Sequence, residues 1–184
     1  LDANKPEGNF SIFQPRERGL EYSVDHHTGN FYVLTNLNAQ NFRLMKTPVT
    51  HTLKRYWKEV IPHRNDVLLE NFDLFANHLI VYERSKALPQ IRVINLSTKA
   101  EHFVAFDEEV YTLMGSHNPE FNTNRIHFTY TSLTTPFTTY EYNLDTREKT
   151  VLKQTEVLGG YDPQNYETKR LWAKAPDGTE IPMS

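Results

Sequence analysis

The sequence predicts an all-β fold, a partial β-propeller of about three four-stranded blades, and three observations predict it. Aromatic residues are plentiful (10 Tyr, 11 Phe) while Gly is scarce at 7, a balance that suits half-buried pleated surfaces. Strand-like segments recur with a step of 49 residues: Phe42, Ile91 and Tyr140 hold equivalent places, as do Leu44, Val93 and Tyr142 two positions on. A turn then repeats with them, "NLSTK" at Asn95 and "NLDTR" at Asn143. Apolar residues matching at i and i+2 mark one face of a strand, and a period near fifty residues marks propeller blades.

The strands follow in order. Each unit opens on a candidate inner strand: "EYSVDH" from Glu21, "LLENFDLF" from Leu68 and "VYTLMGS" from Val110. Second strands are "FYVLTN" from Phe31, "HLIVYE" from His78 and "RIHFTY" from Arg125. Third strands are "NFRLMKT", "QIRVINL" and "TTYEYNL", and the outer strands are "WKEVI", "EHFVAF" and "KTVLKQ". A blade with two apolar faces cannot bury both alone, so it stacks on its neighbours. A β-sandwich also yields short strands and regular turns, but it does not predict two equal steps with matching turns. The one helical hint, "THTLKRYWKEVI", reads as a loop with a basic turn before the strand.

The expected boundaries are residues 20–65, 66–108 and 109–155 for the three blades. Residues 1–19, with "NFSIFQPRERG", read as the outer strand and basic loop of a preceding blade. Residues 156–184 break the repeat: Gly159-Gly160 and Asp162-Pro163 mark a linker. "YETKRLWAKA" and "TEIPMS" flank Asp177-Gly178, a strong hairpin signal. Three blades fall short of the usual 4–8, and the chain reads as cut from something longer.

Between the second and third strands of the last unit lies "YTSLTTP", Tyr130 to Pro136. Its hydroxyls suit backbone-bonding turns and its proline stops ladder pairing. On this element, on "FQPRERGLEYSVDH" and on "YDPQNYETKRLWAKAPDGTEIPMS", the sequence resembles the prolyl oligopeptidase family of serine peptidases, in particular its oligopeptidase B (protease II) branch. Tyr130, Ser132 and Pro136 are the most characteristic local match, and the Asp-Gly hairpin with Pro182 is the next. The resemblance implies a seven-bladed propeller that limits entry by substrate size, joined to an α/β-hydrolase domain. It also implies cleavage of short peptides after Lys or Arg. In that setting the hairpin of 156–184 begins the hydrolase domain, and Gly159, Gly160 and Tyr166 belong to a hinge. The missing hydrolase domain is the expected partner, with short peptides as substrates of the intact enzyme.

No catalytic residue is assigned within the chain. The hydrolase domain needs Gly-x-Ser-x-Gly, then Asp and His. None of Ser11, Ser23, Ser85, Ser97, Ser116, Ser132 and Ser184 has glycine at both −2 and +2. The triad is expected downstream of Ser184. With no cysteine, disulfides, thiol nucleophiles and Cys-ligated zinc are excluded, which fits a reducing, cytoplasmic compartment. A net charge of −3 offers no global field for nucleic acid or an anionic membrane, and no apolar run nears the roughly 20 residues of a membrane span.

Other charged clusters invite weaker readings. His26-His27, beside Asp25, would point to opposite strand faces and so do not share a metal. His117 and His127 are isolated. Asp107-Glu108-Glu109 reads as a solvated loop, or as an acidic run that draws basic peptides toward a pore. Arg16-Glu17-Arg18 and Lys54-Arg55 could pair with the missing domain. No cofactor is expected. The competing reading is a stand-alone propeller module that binds a protein partner, with a glycan-binding β-protein as a third. Bare blade faces and edges predict self-association of the isolated chain.

Overall fold

The computed structural model describes residues 4–184 and is almost entirely β. It contains three four-stranded antiparallel sheets and one two-stranded sheet. Each four-stranded sheet is a simple meander in which sequential strands are neighbours. Among the described residues, no strand is shared between two sheets. The chain divides into two compact units at Asn65/Asp66.

The first unit holds β1 (Tyr22–His27), β2 (Asn30–Thr35), β3 (Arg43–Pro48) and β4 (Lys58–Ile61). Thr28 and Gly29, both at positive φ, form the two-residue turn between β1 and β2. Such a turn matches the right-handed strand twist. Val33, Met45 and Trp57 form the core, with Phe13, Tyr22 and Leu37 packed on it. Trp57 is fixed by its indole N–H, which donates to the Thr52 carbonyl at 2.7 Å. The helical hint resolves into a single 3-10 turn, Lys54–Tyr56.

Two segments differ locally from the sequence reading. "NFSIFQPRERG" forms no strand among the described residues. A strand exists only through its ladder partners, and this segment instead lays Phe13 against Phe31 (5.2 Å, edge-on) and Trp57 (6.1 Å). Gln14 accepts the Lys54 N–H at 2.8 Å. Phe42, aligned with Ile91 and Tyr140, lies before β3 in a turn, with φ +60°. The repeat holds one step later: Leu44, Val93 and Tyr142 lie inside the third strand of their sheets and are buried.

The second unit contains β5 (Val67–Leu74), β6 (His78–Ser85), β7 (Leu88–Asn95) and β8 (Glu101–Phe103). It also contains β9 (Thr112–Gly115), β10 (Arg125–Thr131), β11 (Thr138–Asn143), β12 (Lys149–Gln154), β13 (Leu171–Lys174) and β14 (Glu180–Met183). The sheets β5–β8 and β9–β12 share one core, with Ile80, Ile91 and Val93 meeting Ile126, Phe128 and Tyr142. At one end the pairs His78–Asp145 (3.2 Å) and His102–Tyr142 (2.9 Å) join them.

The repeated turn is reproduced bond for bond. Asn95 Oδ1 accepts the N–H groups of Ser97 and Thr98, and Asn143 Oδ1 accepts those of Asp145 and Thr146. Lys99 and Arg147 then take positive φ, 64° and 66°. The connection "ERSKALP" is shorter than the sequence suggests. β6 and β7 run on until only Lys86 and Ala87 remain as the turn, both at positive φ. β13 and β14 pair from Leu171↔Met183 to Lys174↔Glu180. The turn between them places Gly178 at φ +86° and has Asp177 accepting the Thr179 N–H at 2.9 Å.

Candidate functional site

The residues "YTSLTTP" converge on one carboxylate. Glu108, in the connection between β8 and β9, accepts hydrogen bonds from four hydroxyls of the β10–β11 hairpin. Ser132 Oγ (2.6 Å) and Thr134 Oγ1 donate to Oε1, while Tyr130 Oη and Thr135 Oγ1 (2.8 Å) donate to Oε2. Each carboxylate oxygen therefore receives two donors, the full capacity of the group. Ser132 is doubly used, because its Oγ also accepts the N–H groups of Thr134 (3.0 Å) and Thr135 (2.8 Å). A serine at the first position of this turn closes it from within, and the same oxygen hands its proton outward to Glu108.

Sheet geometry brings these groups together. Alternation along β10 turns Ile126, Phe128 and Tyr130 to one face, and Tyr130 stacks on Phe106 at 5.1 Å. Phe106 and Glu108 belong to the same connection, so the ring stack holds the carboxylate over the hairpin. Partial burial pushes the Glu108 pKa up, but its four hydroxyl donors pull harder and hold the carboxyl below its ordinary range. Burial pushes the Tyr130 phenol far up, and its bond to Glu108 and that carboxylate's charge push it further. The hub is thus an ionised carboxylate facing protonated hydroxyls. Pro136 ends the turn, with its carbonyl accepting the Thr138 hydroxyl at 2.8 Å. It also lines a shallow cavity of about 260 Å³ with Thr155, Val157 and Tyr161.

The segment after β12 crosses this rim. Gly159 and Gly160 stand at φ +90° and +88°, with open space where a Cβ would lie. Tyr161 Oη donates to the Thr134 carbonyl, and its ring stacks on Tyr166 at 5.5 Å. Thr168 Oγ1 lies 3.1 Å from Thr134 Oγ1. The Arg170 N–H donates to Glu109 at 3.0 Å, and the Arg170 guanidinium donates to the Lys86 carbonyl. Of the acidic run, Asp107 is exposed, while Glu108 and Glu109 are engaged within the chain.

The remaining singled-out residues lie apart. His26 and His27 sit on opposite faces of β1, edge-on to Phe31 (5.6 Å) and Tyr32 (6.3 Å). His127 lies 3.3 Å from Glu141, which also takes Arg125 at 2.7 Å. His117 is exposed in the β9–β10 connection. Lys54 pairs with Glu17, joining the two basic loops to each other within the first unit. Sequence reasoning missed the Glu108 hub. The available signal was a hairpin carrying five hydroxyls, Tyr130, Thr131, Ser132, Thr134 and Thr135, downstream of a short acidic run.

Known proteins agree with this architecture. Residues 1–155 match the family described as prolyl oligopeptidase, N-terminal beta-propeller domain. Dipeptidyl aminopeptidase BI of Pseudoxanthomonas mexicana is 42% identical over 96% of this chain and 24% of its own length. Protease 2 of Moraxella lacunata is 29% identical over 100% of this chain and 26% of its own length. Among solved structures, oligopeptidase B from Leishmania major superposes with a TM-score of 0.85 at 28% identity, covering 96% of this chain and 27% of that one. Oligopeptidase B from Trypanosoma brucei gives 0.82 at 29% identity, covering 91% and 25%. The chain spans about a quarter of the length of these relatives. Meandering four-stranded sheets, a shared repeat turn and a domain match over most of its length together establish that the chain belongs to the prolyl oligopeptidase family, within its N-terminal β-propeller domain.

Proposed function

We propose that this chain is the non-catalytic propeller portion of a cytoplasmic serine oligopeptidase that cleaves short peptides after Lys or Arg. The propeller screens substrates by size, and the Ser, Asp and His of catalysis belong to the rest of the polypeptide. The observation that carries this reading is the propeller-domain match over residues 1–155, in a chain that spans about a quarter of its relatives. The lack of any Gly-x-Ser-x-Gly element in the sequence supports it. Attraction of basic peptides falls to the acidic loop Asp107, Glu108 and Glu109, of which Asp107 and Glu109 are exposed. Residues 156–184 lead into the hydrolase domain, with Gly159 and Gly160 as the flexible point of a hinge.

The test uses an arginyl peptide amide. The chain alone is expected to show no turnover, and the parent polypeptide a turnover that a serine-directed phosphonate abolishes. Phosphonate-sensitive turnover by the chain itself would overturn the assignment. A second reading of specificity follows from the relative named dipeptidyl aminopeptidase, at 42% identity. On that reading the parent releases dipeptides from free amino ends. Comparing N-blocked and free-amino arginyl amides separates the two, because only an endopeptidase accepts the blocked substrate.

The isolated chain is further expected to self-associate. Leu133, Phe137, Leu158 and Trp172 are exposed, from 46% to 88%, and apolar surface of this kind associates. Sedimentation at rising concentration checks this; a compact monomer throughout would remove it.

A further inference from the structure

Gly159 and Gly160 are flanked on both sides by attachments to the same unit. Before them, β12 is a strand of the β9–β12 sheet, and the Thr155 N–H donates to the Phe137 carbonyl at 2.9 Å. After them, Tyr161 and Thr168 are tied to Thr134, and Arg170 to Glu109 and Lys86. Rotation at the two glycines therefore cannot move the chain beyond Arg170 while those ties hold. We propose that residues 161–170 are a strap across one rim of the two sheets, and that Glu108 is the positioning residue that buckles it. Movement of the chain beyond Arg170 then requires the strap to lift. This rests on the hinge reading above and relocates its controlling step.

The strap is built to dock as a unit. Asp162 Oδ1 accepts the Gln164 N–H at 3.0 Å, capping the 3-10 turn Pro163–Asn165. The Tyr161–Tyr166 stack folds the segment back on itself. Three receiving points lie on alternate connections of the unit: the β6–β7 turn at Lys86, the β8–β9 connection at Glu109 and the β10–β11 hairpin at Thr134. Thr134 is the link between strap and hub. Its hydroxyl donates to Glu108 and lies beside Thr168, and its carbonyl takes Tyr161. With Glu108 ionised, the Thr134 proton is committed to the carboxylate, so Thr134 Oγ1 accepts from Thr168.

Hydrogen exchange on the whole chain tests this, with the Arg170 amide as reporter. Glu108→Gln is expected to speed Arg170 exchange about tenfold, the scale of one charge-assisted hydrogen bond. Thr168→Val combined with Tyr161→Phe, which cuts the strap side alone, is expected to have an effect of similar size. Amides of Ile126 and Phe128 should be unchanged in both. An Arg170 amide that exchanges at the free-peptide rate in the unaltered chain would overturn the proposal, as would indifference to the strap-side pair or to Glu108→Gln. If Glu108→Gln also exposes β10, the strap-side pair decides alone. A parent polypeptide without peptidase activity would sink the functional reading and leave this exchange result standing.

Discussion

The two sheets of the second unit differ in what their faces can bury. In the β5–β8 sheet both faces bury apolar side chains, the second around the Glu83–Arg92 pair. Ile80, Ile91 and Val93 face the β9–β12 sheet, and Val67, Leu69, Phe72, Leu74, Leu79 and Val81 on the other side are buried as well. In the β9–β12 sheet only one face is apolar. Opposite Ile126, Phe128 and Tyr130 lie Arg125, His127 and Thr129, which pair with Asn143, Glu141 and Thr139 of β11, and Thr131, which pairs with Thr112 of β9. Of the apolar side chains, that second face carries Met114, 44% exposed. A four-stranded antiparallel sheet is stable with one solvated face. The general expectation of two apolar faces per blade therefore holds better for the first of these sheets than for the second.

The largest effect should come from the interface both sheets share. Phe128 is fully buried and touches Tyr140, Tyr142 and Phe106 in the common core. Phe128→Ala is expected to cost about 3–5 kcal/mol, read as a lower denaturant midpoint with both sheets lost together. Separate loss of one sheet would show that the core is not shared energetically.

A reciprocal pair then tests the difference in second faces. Val81→Thr places a hydroxyl in a fully buried site and should destabilise by about 1–3 kcal/mol. Thr129→Val, on the polar face, should stay within about 0.5 kcal/mol. Equal effects at the two sites would erase the distinction.

Acid comes next. Because the Glu108 pKa is lowered in the folded chain, its contribution to stability is complete above the unfolded carboxyl value. That contribution is lost as pH falls below about 4.3 and through the lowered folded value. Glu108→Gln should flatten this part of the acid limb while leaving stability at neutral pH less than that of the unaltered chain. The smallest effect belongs to the exposed Arg125–Glu141 pair. Arg125→Ala should produce a slight shift that vanishes at high salt, as screening requires.

The legible parts of this molecule were those governed by local chemistry. "NLSTK" and "NLDTR" announce identical turns because an asparagine accepts the same two amides in each. Asp177-Gly178 declares a hairpin because glycine tolerates φ +86°. Local pattern misled at Phe42, where residue spacing matched but the chain was still turning; in "NFSIFQPRERG" Phe13 packs as a loop anchor while Phe10 and Ile12 are exposed. Glu108 was visible only as a charge. Its donors lie 22 to 27 residues away, and nothing in the spacing joins an acidic run to a threonine hairpin.

The amino-acid order by itself determined the strands, their period and their turns, since alternation, asparagine caps and glycine φ values act within a few residues. Tertiary structure decided which carboxylate the hairpin hydroxyls meet, which sheet face stays polar and where the segment after β12 is tied. Those outcomes depend on contacts between strands far apart in sequence, and such contacts exist only once the two sheets have closed over Phe128 and its neighbours.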